Sequence, residues 1–257
     1  MRVVVMGNNR VAWECVRVLR EQGCDIVGLV LHPEEKRRFG EELTAAAGVP
    51  VEAVFPGDRL REPAVQEALR ALGADVALSL LFDYILRPGI LEIFPLGIVN
   101  LHPSYLPYNR GQYPNVWSIV EGTPAGVTLH YVDEGIDTGD IIAQREVPVL
   151  ASDTGKTLYE RLEAASVELF REVWPAVVAG EAPRRPQPRG GGTYHRSADA
   201  DRLDHIDLDR EYRARDLINI LRARTFPPYS GAYFIDGDRK VHMRLELLPA
   251  EDIGQER

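Results

Sequence analysis

A chain of 257 residues with 45 % apolar and 27 % charged side chains has the composition of a globular protein, long enough for one large domain and a smaller appendage. Its 30 Lys and Arg against 39 Asp and Glu leave a formal charge of −9. That balance gives no electrostatic footprint for polyanion binding, although a few local arginines would suffice for a small phosphorylated ligand. The two cysteines, Cys15 and Cys24, read as buried, reduced thiols. No charged-then-apolar leader precedes Arg2 and no run is long enough to span a bilayer, so a cytoplasmic location without a membrane partner is expected.

In chain order, Arg2–Met6 is a β-branched run ending at Gly7, and a helical pattern starts near Val11. Apolar runs recur at Asp25–Leu31, Val49–Val54 and Asp75–Leu81 with helical stretches between them, then at Gly97–Asn100 and Gly126–Val132. Runs that are apolar throughout mark strands covered on both faces. Their alternation with helices predicts an α/β fold built on a doubly wound, mostly parallel, Rossmann-like sheet.

Thr154–Ala179 predicts a long helix with Asp153 as its cap, Leu158, Leu162, Ala165, Leu169 and Val173 along one face, and Gly180 closing it. Glu181–Gly192, rich in Pro, Arg and Gly, reads as a linker. Beyond it, Leu208–Thr225 predicts an amphipathic helix, and Gly231–Ile235 with Val241–Leu247 a hairpin around Asp236-Gly237. The expected division is a main domain over 1–180, a linker over 181–196, and a small C-terminal α+β appendage (helix plus β-hairpin) over 197–257. An appendage of that size carries little core of its own and needs cover from the main domain or a partner chain.

Open parallel sheets bind ligands outside the carboxyl ends of their strands. The run Gly97–Asn100 leads directly into Leu101-His102-Pro103-Ser104. If strand geometry continues two residues further, the period of two puts Asn100 and His102 on one side. The segment Asp133–Asp140 holds four acids and two glycines in eight residues and also follows an apolar run. It lacks the ligand alternation of a calcium loop, and no His/Cys spacing suits zinc, so no metal is expected. Gly7-Asn8-Asn9 does not complete a dinucleotide fingerprint, which disfavours a nicotinamide enzyme.

The stretch Asn100-Leu101-His102-Pro103-Ser104-Tyr105-Leu106-Pro107-Tyr108-Asn109-Arg110-Gly111 resembles the Asn-x-His … Leu-Pro-x-x-Arg-Gly signature of 10-formyltetrahydrofolate-dependent formyltransferases. Gly126-Val127-Thr128-Leu129-His130 and Asp133 through Gly139 are similar to that family's Gly-Val-Thr strand and Asp-x-Gly-x-Asp-Thr-Gly loop. The likeness runs from about Asp75 to Val149, and residues 1–70 share only its pattern.

The resemblance implies a catalytic set of Asn100, His102 and Asp137, with 10-formyltetrahydrofolate as formyl-donor cosubstrate. Attack of an amine on a formyl carbon builds negative charge on oxygen, which the amide of Asn100 can meet, and moves protons, which His102 can carry while Asp137 orients it. Whether His102 acts as base or as oxyanion stabiliser stays open. By the same resemblance the donor slot is formed by Phe82, Asp83, Tyr84, Ile85 and Leu86 with Asp133, Gly135 and Ile136; plain core is the alternative reading of the apolar members.

For the acceptor, the segments His102–Gly111, Gly190–Arg196 and Ile220–Tyr229 resemble sugar N-formyltransferases, whose acceptors are nucleotide-linked amino sugars. Ser104, Tyr105, Tyr108, Arg110, Gly111, Arg224 and Tyr229 are the candidate acceptor contacts, since arginines pair with a diphosphate and tyrosines stack on a base. In the tail Arg222, Arg224, Arg239, Lys240 and Arg244 are offset by Asp236, Asp238, Glu246, Glu251 and Asp252, so a nucleic-acid partner is not expected. Methionyl-tRNA formylation, formyltetrahydrofolate hydrolysis and a non-catalytic folate-binding module are the alternatives. A homodimer through the C-terminal region would cover the hairpin.

Overall fold

The computed structural model describes residues 1–188 and 190–249. The first half of the chain runs β1 (Arg2–Gly7), α1 (Arg10–Glu21), β2 (Asp25–Leu31), α2 (Gly40–Ala47), β3 (Val54–Pro56), α3 (Pro63–Ala71), β4 (Val76–Leu80), α4 (Pro88–Leu91) and β5 (Ile98–His102). The second half continues with β6 (Arg110–Gly111), α5 (Pro114–Glu121), β7 (Gly126–Tyr131), β8 (Ile141–Glu146), α6 (Gly155–Val178), β9 (Tyr194–His195), α7 (Ser197–Asp201), α8 (Ala214–Ala223), β10 (Tyr233–Asp236) and β11 (Arg239–His242).

Two compact units emerge, and they interleave along the chain. One comprises Met1–His102, Val127–Arg145 and Ala164–Pro188; the other comprises Pro103–Gly126, Glu146–Glu163 and the described residues after Pro188.

The first unit is built on a seven-stranded sheet of order β3-β2-β1-β4-β5-β7-β8. Strands β1 to β5 run parallel, and β7 pairs antiparallel with β5. Val3, Val4, Val5 and Met6 are fully buried, as are Val76, Ala77 and Leu78, so covered faces account for the unbroken apolar runs. The third strand begins later than expected: Val51–Ala53 is a 3₁₀ turn after Pro50, with Val51 77 % exposed, and pairing starts only at Val54.

Inside α6, Pro175 has no N–H to offer the carbonyl of Arg171, and Gln22 Nε2 donates to that oxygen at 3.2 Å instead. The helix stops at Gly180 (φ +72°), where Glu181 N returns to Ala176 O at 2.9 Å. Part of the expected linker is tied down: Arg185 exchanges backbone hydrogen bonds with Ile141 at 2.8 and 3.0 Å. No helix among the described residues is long and apolar enough to cross a membrane.

Cys15 and Cys24 are free thiols, and both are buried. Burial pushes the Cys15 thiol well above its ordinary pKa, with the Glu14 carboxylate adding to the rise. Neither cysteine is expected to react with a thiol-specific reagent in the native protein, and both should react within the unfolding transition. Stoichiometric labelling of folded protein would contradict this.

In the second unit α5 packs against α8, β6 pairs with β9, and β10 with β11 makes the hairpin. The helix expected from Leu208 begins only at Ala214, because Asp207 accepts a hydrogen bond from Asp209 N (3.0 Å) and turns the chain there. Asp236 pairs with Arg239, which leaves Gly237-Asp238 as the two-residue loop, with Gly237 at φ +57°.

The expected Asp153 cap is replaced by Thr154, whose hydroxyl accepts from Thr157 N at 3.3 Å. Asp153 is buried and serves a larger knot: it accepts from Leu150 N (2.6 Å), Thr157 Oγ1 (3.0 Å) and the Arg161 guanidinium. Its backbone oxygen, with those of Leu150 and Ala151, receives Nη1 of Arg222 at 2.9–3.3 Å. Arg222 and Arg224, counted from sequence as balanced tail cations, are internal ties. Arg222 is 8 % exposed, and Arg224 forms a two-point pair with Asp204 at 2.5 and 3.0 Å.

Candidate active site

Strand β5 extends through His102, so Asn100 and His102 do share one side of the sheet. The antiparallel register sets His130 of β7 opposite Asn100, and Thr128 opposite His102. Because β7 is antiparallel, the acidic loop after it starts at the edge opposite the one where His102 leaves the sheet. The acidic loop, expected from sequence only to follow an apolar run, therefore does not leave from the carboxyl edge of the parallel strands. The loop returns, and this brings the Asp137 carboxylate to Asn100 and His102.

The resulting cluster lies within the first unit. Asp137 Oδ2 is 3.6 Å from His102 Nε2, and Oδ1 is 3.3 Å from Asn100 Nδ2 and 3.7 Å from His130 Nε2. Side chains of His102 and Asp137 are only 8 % and 14 % exposed, so the pair sits in a shielded, lower-dielectric environment. His130 Nδ1 lies 2.8 Å from the carbonyl of Tyr131, an acceptor, which places the ring proton on Nδ1. Nε2 then accepts from Asn100 Nδ2 at 3.0 Å. Both hydrogens of the Asn100 amide are thus engaged, one by His130 and one by Asp137.

His130 is the residue that sequence reasoning left without a role. Its signal was available: it sits near the end of an apolar run, two residues after Thr128 and three before the first residue of the acidic loop. What the sequence lacked was the direction of β7, which alone sets His130 against Asn100.

The loop closes around its glycines. Asp133 Oδ1 accepts from Gly135 N (3.0 Å) and Thr138 Oγ1 (2.6 Å), and Gln187 Nε2 donates to the carbonyls of Asp137 (2.8 Å) and Gly139 (2.9 Å). A Cβ on Gly139 would lie 1.9 Å from Tyr131 O, so no side chain fits. Gly139→Ala is expected to displace Asp137 and to lower turnover about 10²-fold, the scale of a ~1 Å misplacement. Steady-state kinetics on a variant with a native circular-dichroism spectrum measures this.

Of the expected donor-slot residues, Phe82 and Tyr84 are half-buried, Asp83 and Ile85 are exposed, and Leu86 belongs to the core. Ile85 is 56 % exposed, which the plain-core reading of this patch does not account for. Asp133, Gly135 and Ile136 are exposed on the acidic loop. Because β4 and β5 are adjacent and parallel, with Leu80 beside Leu101, the segment starting at Leu81 leaves the sheet at the same edge as His102.

The expected acceptor residues belong to the second unit. Ser104 is buried, and Tyr105, Tyr108, Arg110 and Gly111 are half-buried. Arg110 and Gly111 pair with Tyr194 and His195. Arg224 is held by Asp204, so a diphosphate would have to compete with that carboxylate. Tyr229 is 58 % exposed. Among the described residues no His/Cys/Asp/Glu group suits a metal ion.

Set beside known proteins, residues 1–174 match the family described as formyl transferase. The chain belongs to the formyltransferase family. It is an enzyme of the folate-dependent type, and residues 199–249 of this formyltransferase match an "N-formyltransferase dimerization C-terminal domain". A methionyl-tRNA formyltransferase of Symbiobacterium thermophilum is 36 % identical over 266 residues, covering 100 % of this chain and 79 % of that one. A 4-N formyltransferase from Francisella tularensis superposes with a TM-score of 0.80 at 28 % identity, over 96 % of this chain and 98 % of that one. The formyltransferase PseJ from Anoxybacillus kamchatkensis is 33 % identical with a TM-score of 0.59, over 79 % and 89 % of the two chains. Its structure holds UDP-4,6-dideoxy-4-formamido-L-AltNAc and tetrahydrofolate.

Proposed function

We propose that this formyltransferase moves the formyl group of 10-formyltetrahydrofolate onto the primary amine of a nucleotide-linked amino sugar, with Asn100, His102 and Asp137 as the reacting set. The observation that carries the acceptor assignment is the relative one-third identical whose structure holds a formylated UDP-sugar together with tetrahydrofolate. The commitments of the tail's cations support it: Arg222, Arg224 and Arg244 all donate to groups of their own unit, which leaves few for the phosphates of a tRNA.

His102 takes the proton of the attacking amine and returns it to the departing folate nitrogen. The imidazolium so formed attracts Asp137. Closing the 3.6 Å gap adds to the charge attraction and forms a hydrogen bond between two charged groups, stronger than the one from the neutral amide. The carboxylate therefore follows the proton, and the 3.3 Å bond from Asn100 is the one given up. The amide hydrogen released is then available to the formyl oxygen as its negative charge grows, a contact commonly worth ~10²–10³ in rate. His130 keeps the amide from rotating during the exchange.

The donor slot is assigned to residues 82–86 and 133–136, and the acceptor contacts to Ser104, Tyr105, Tyr108, Arg110, Gly111 and Tyr229, with Arg224 as a competitor-bound member. Residues 1–180 supply catalysis, and 197–257 form a homodimer contact, in line with the description matched by 199–249. A second reading, formylation of methionyl-tRNA, is favoured by the 36 % identity of the Symbiobacterium relative; on that reading the partner is a tRNA.

Mass measurement separates them. The protein is incubated with 10-formyltetrahydrofolate and either a panel of dTDP- and UDP-linked amino sugars, charged initiator tRNA, or buffer. A sugar heavier by one formyl group supports the proposal. Formyl-methionyl-tRNA supports the second reading, and formate released without acceptor supports a hydrolase.

A further inference from the structure

One histidine outside the reacting set occupies an unusual position. His32 follows the last residue of β2 and is 3 % exposed, yet neither ring nitrogen makes a hydrogen bond of good geometry. The nearest charged group is Asp83, whose Oδ2 lies 3.3 Å from Nε2 while the aspartate side chain is itself 72 % exposed. A buried imidazole whose nitrogens lack well-formed hydrogen bonds carries a desolvation cost of about 1–3 kcal/mol, so an apolar residue would serve a plain core better.

Its surroundings belong to one segment. Phe82 meets the ring edge-on at 5.2 Å, Tyr84 lies at 5.0 Å, and these two are 5.2 Å from each other. Gly57 backs the pair so closely that a Cβ there would sit 2.8 Å from Phe82 and 3.0 Å from Tyr84. The segment leaves β4 through Leu81 at φ +48°, a conformation that residues other than glycine seldom adopt. The support on hand is the His32 ring and the Gly57 shelf. Ile85, two residues beyond Asp83, then stands 56 % exposed on a loop whose start packs against His32 and Gly57.

We infer that His32 is the positioning residue of the formyl-donor slot: through Asp83 and the faces of Phe82 and Tyr84 it fixes the course of residues 82–86, on which a flat pterin ring would lie. This rests on the donor-slot assignment made under the proposed function. His32 does not touch the donor; it acts through the loop. Its loss should therefore weaken donor binding and leave the chemical step alone.

The test pairs two substitutions with two readouts. His32→Phe keeps a ring against Phe82 and Tyr84 and removes the nitrogens; Asp83→Asn alters only the exposed partner. Each is expected to raise the dissociation constant for tetrahydrofolate, and KM for 10-formyltetrahydrofolate, by about tenfold. For His32→Phe, the kcat at saturating donor and KM for the acceptor should stay within about twofold. Combining the two changes should cost no more than either alone, since they break one link.

Unchanged folate affinity in a folded His32→Phe protein overturns the inference, as does an equal fall in kcat. Should His32→Phe fail to fold, His32→Leu decides, and wild-type folate affinity there overturns it. Parent protein that binds no tetrahydrofolate would instead sink the proposed function itself.

Discussion

Asp137→Asn is expected to lower kcat by about 10²–10⁴ with native folding retained, the range for loss of proton transfer by a positioned group. The substitution is chosen because Asp137 sits at φ +53°, in the left-handed region that Asn tolerates as well as Asp does. The loop should keep its course, since Gln187 holds the backbone oxygen of residue 137, not its side chain. What changes is charge. On the proposed mechanism, a neutral amide cannot draw the imidazolium of His102 across the 3.6 Å gap, nor exchange one hydrogen-bond partner for another as the proton moves. Steady-state kinetics beside a thermal melt gives the answer, and near-normal turnover would show that the active site lies elsewhere. Asp137→Ala should lose as much activity and also fold less well, because alanine is strained at this φ.

The second large effect concerns stability. Arg222→Met should cost the protein about 3–5 kcal/mol, the usual penalty for breaking a buried charged network. Methionine fills similar volume but leaves the carbonyls of Leu150, Ala151 and Asp153 without their donor, and Asn219 Oδ1 without its own. Burial already holds the Arg222 guanidinium below its ordinary pKa, opposed by the Asp153 carboxylate, so the side chain is charged at a real desolvation cost that these contacts offset. At about 2–4 °C per kcal/mol for a chain of this size, the melting midpoint should fall by about 6–20 °C. A shift under ~2 °C on the same scale would mean that water replaces the guanidinium freely. Arg222→Lys should recover part of the loss, since an ammonium reaches some carbonyls without matching three at once.

Much of the sheet was legible because parallel strands buried on both faces announce themselves as unbroken apolar runs. Asn100 and His102 were legible for a related reason: a period of two needs only the strand to persist, and it does. The direction of β7 was not legible, because an apolar run reads the same in both senses. Everything that depends on that direction, the role of His130 and the return path of the acidic loop, was hidden with it. At Asp153 a local rule lost to a tertiary demand: the carboxylate that would cap α6 is taken by Leu150 N and Arg161, and Thr154 caps in its place. Arg222 and Arg224 looked like surface cations for the same reason, since composition counts charges and does not reveal their partners. The late start of α8 is a smaller case, in which an Asp side chain bonded to nearby backbone outcompetes helix propagation.

The doubly committed amide of Asn100 has one more consequence. On the proposed assignment, the resting enzyme has no hydrogen left to offer a formyl oxygen, so a water molecule that wanders beside the bound one-carbon unit finds no assistance. Readiness comes only when an attacking amine, made acidic by its new bond to the formyl carbon, passes a proton to His102. The arrangement would guard a costly activated carbon from being squandered between turnovers, with no lid required.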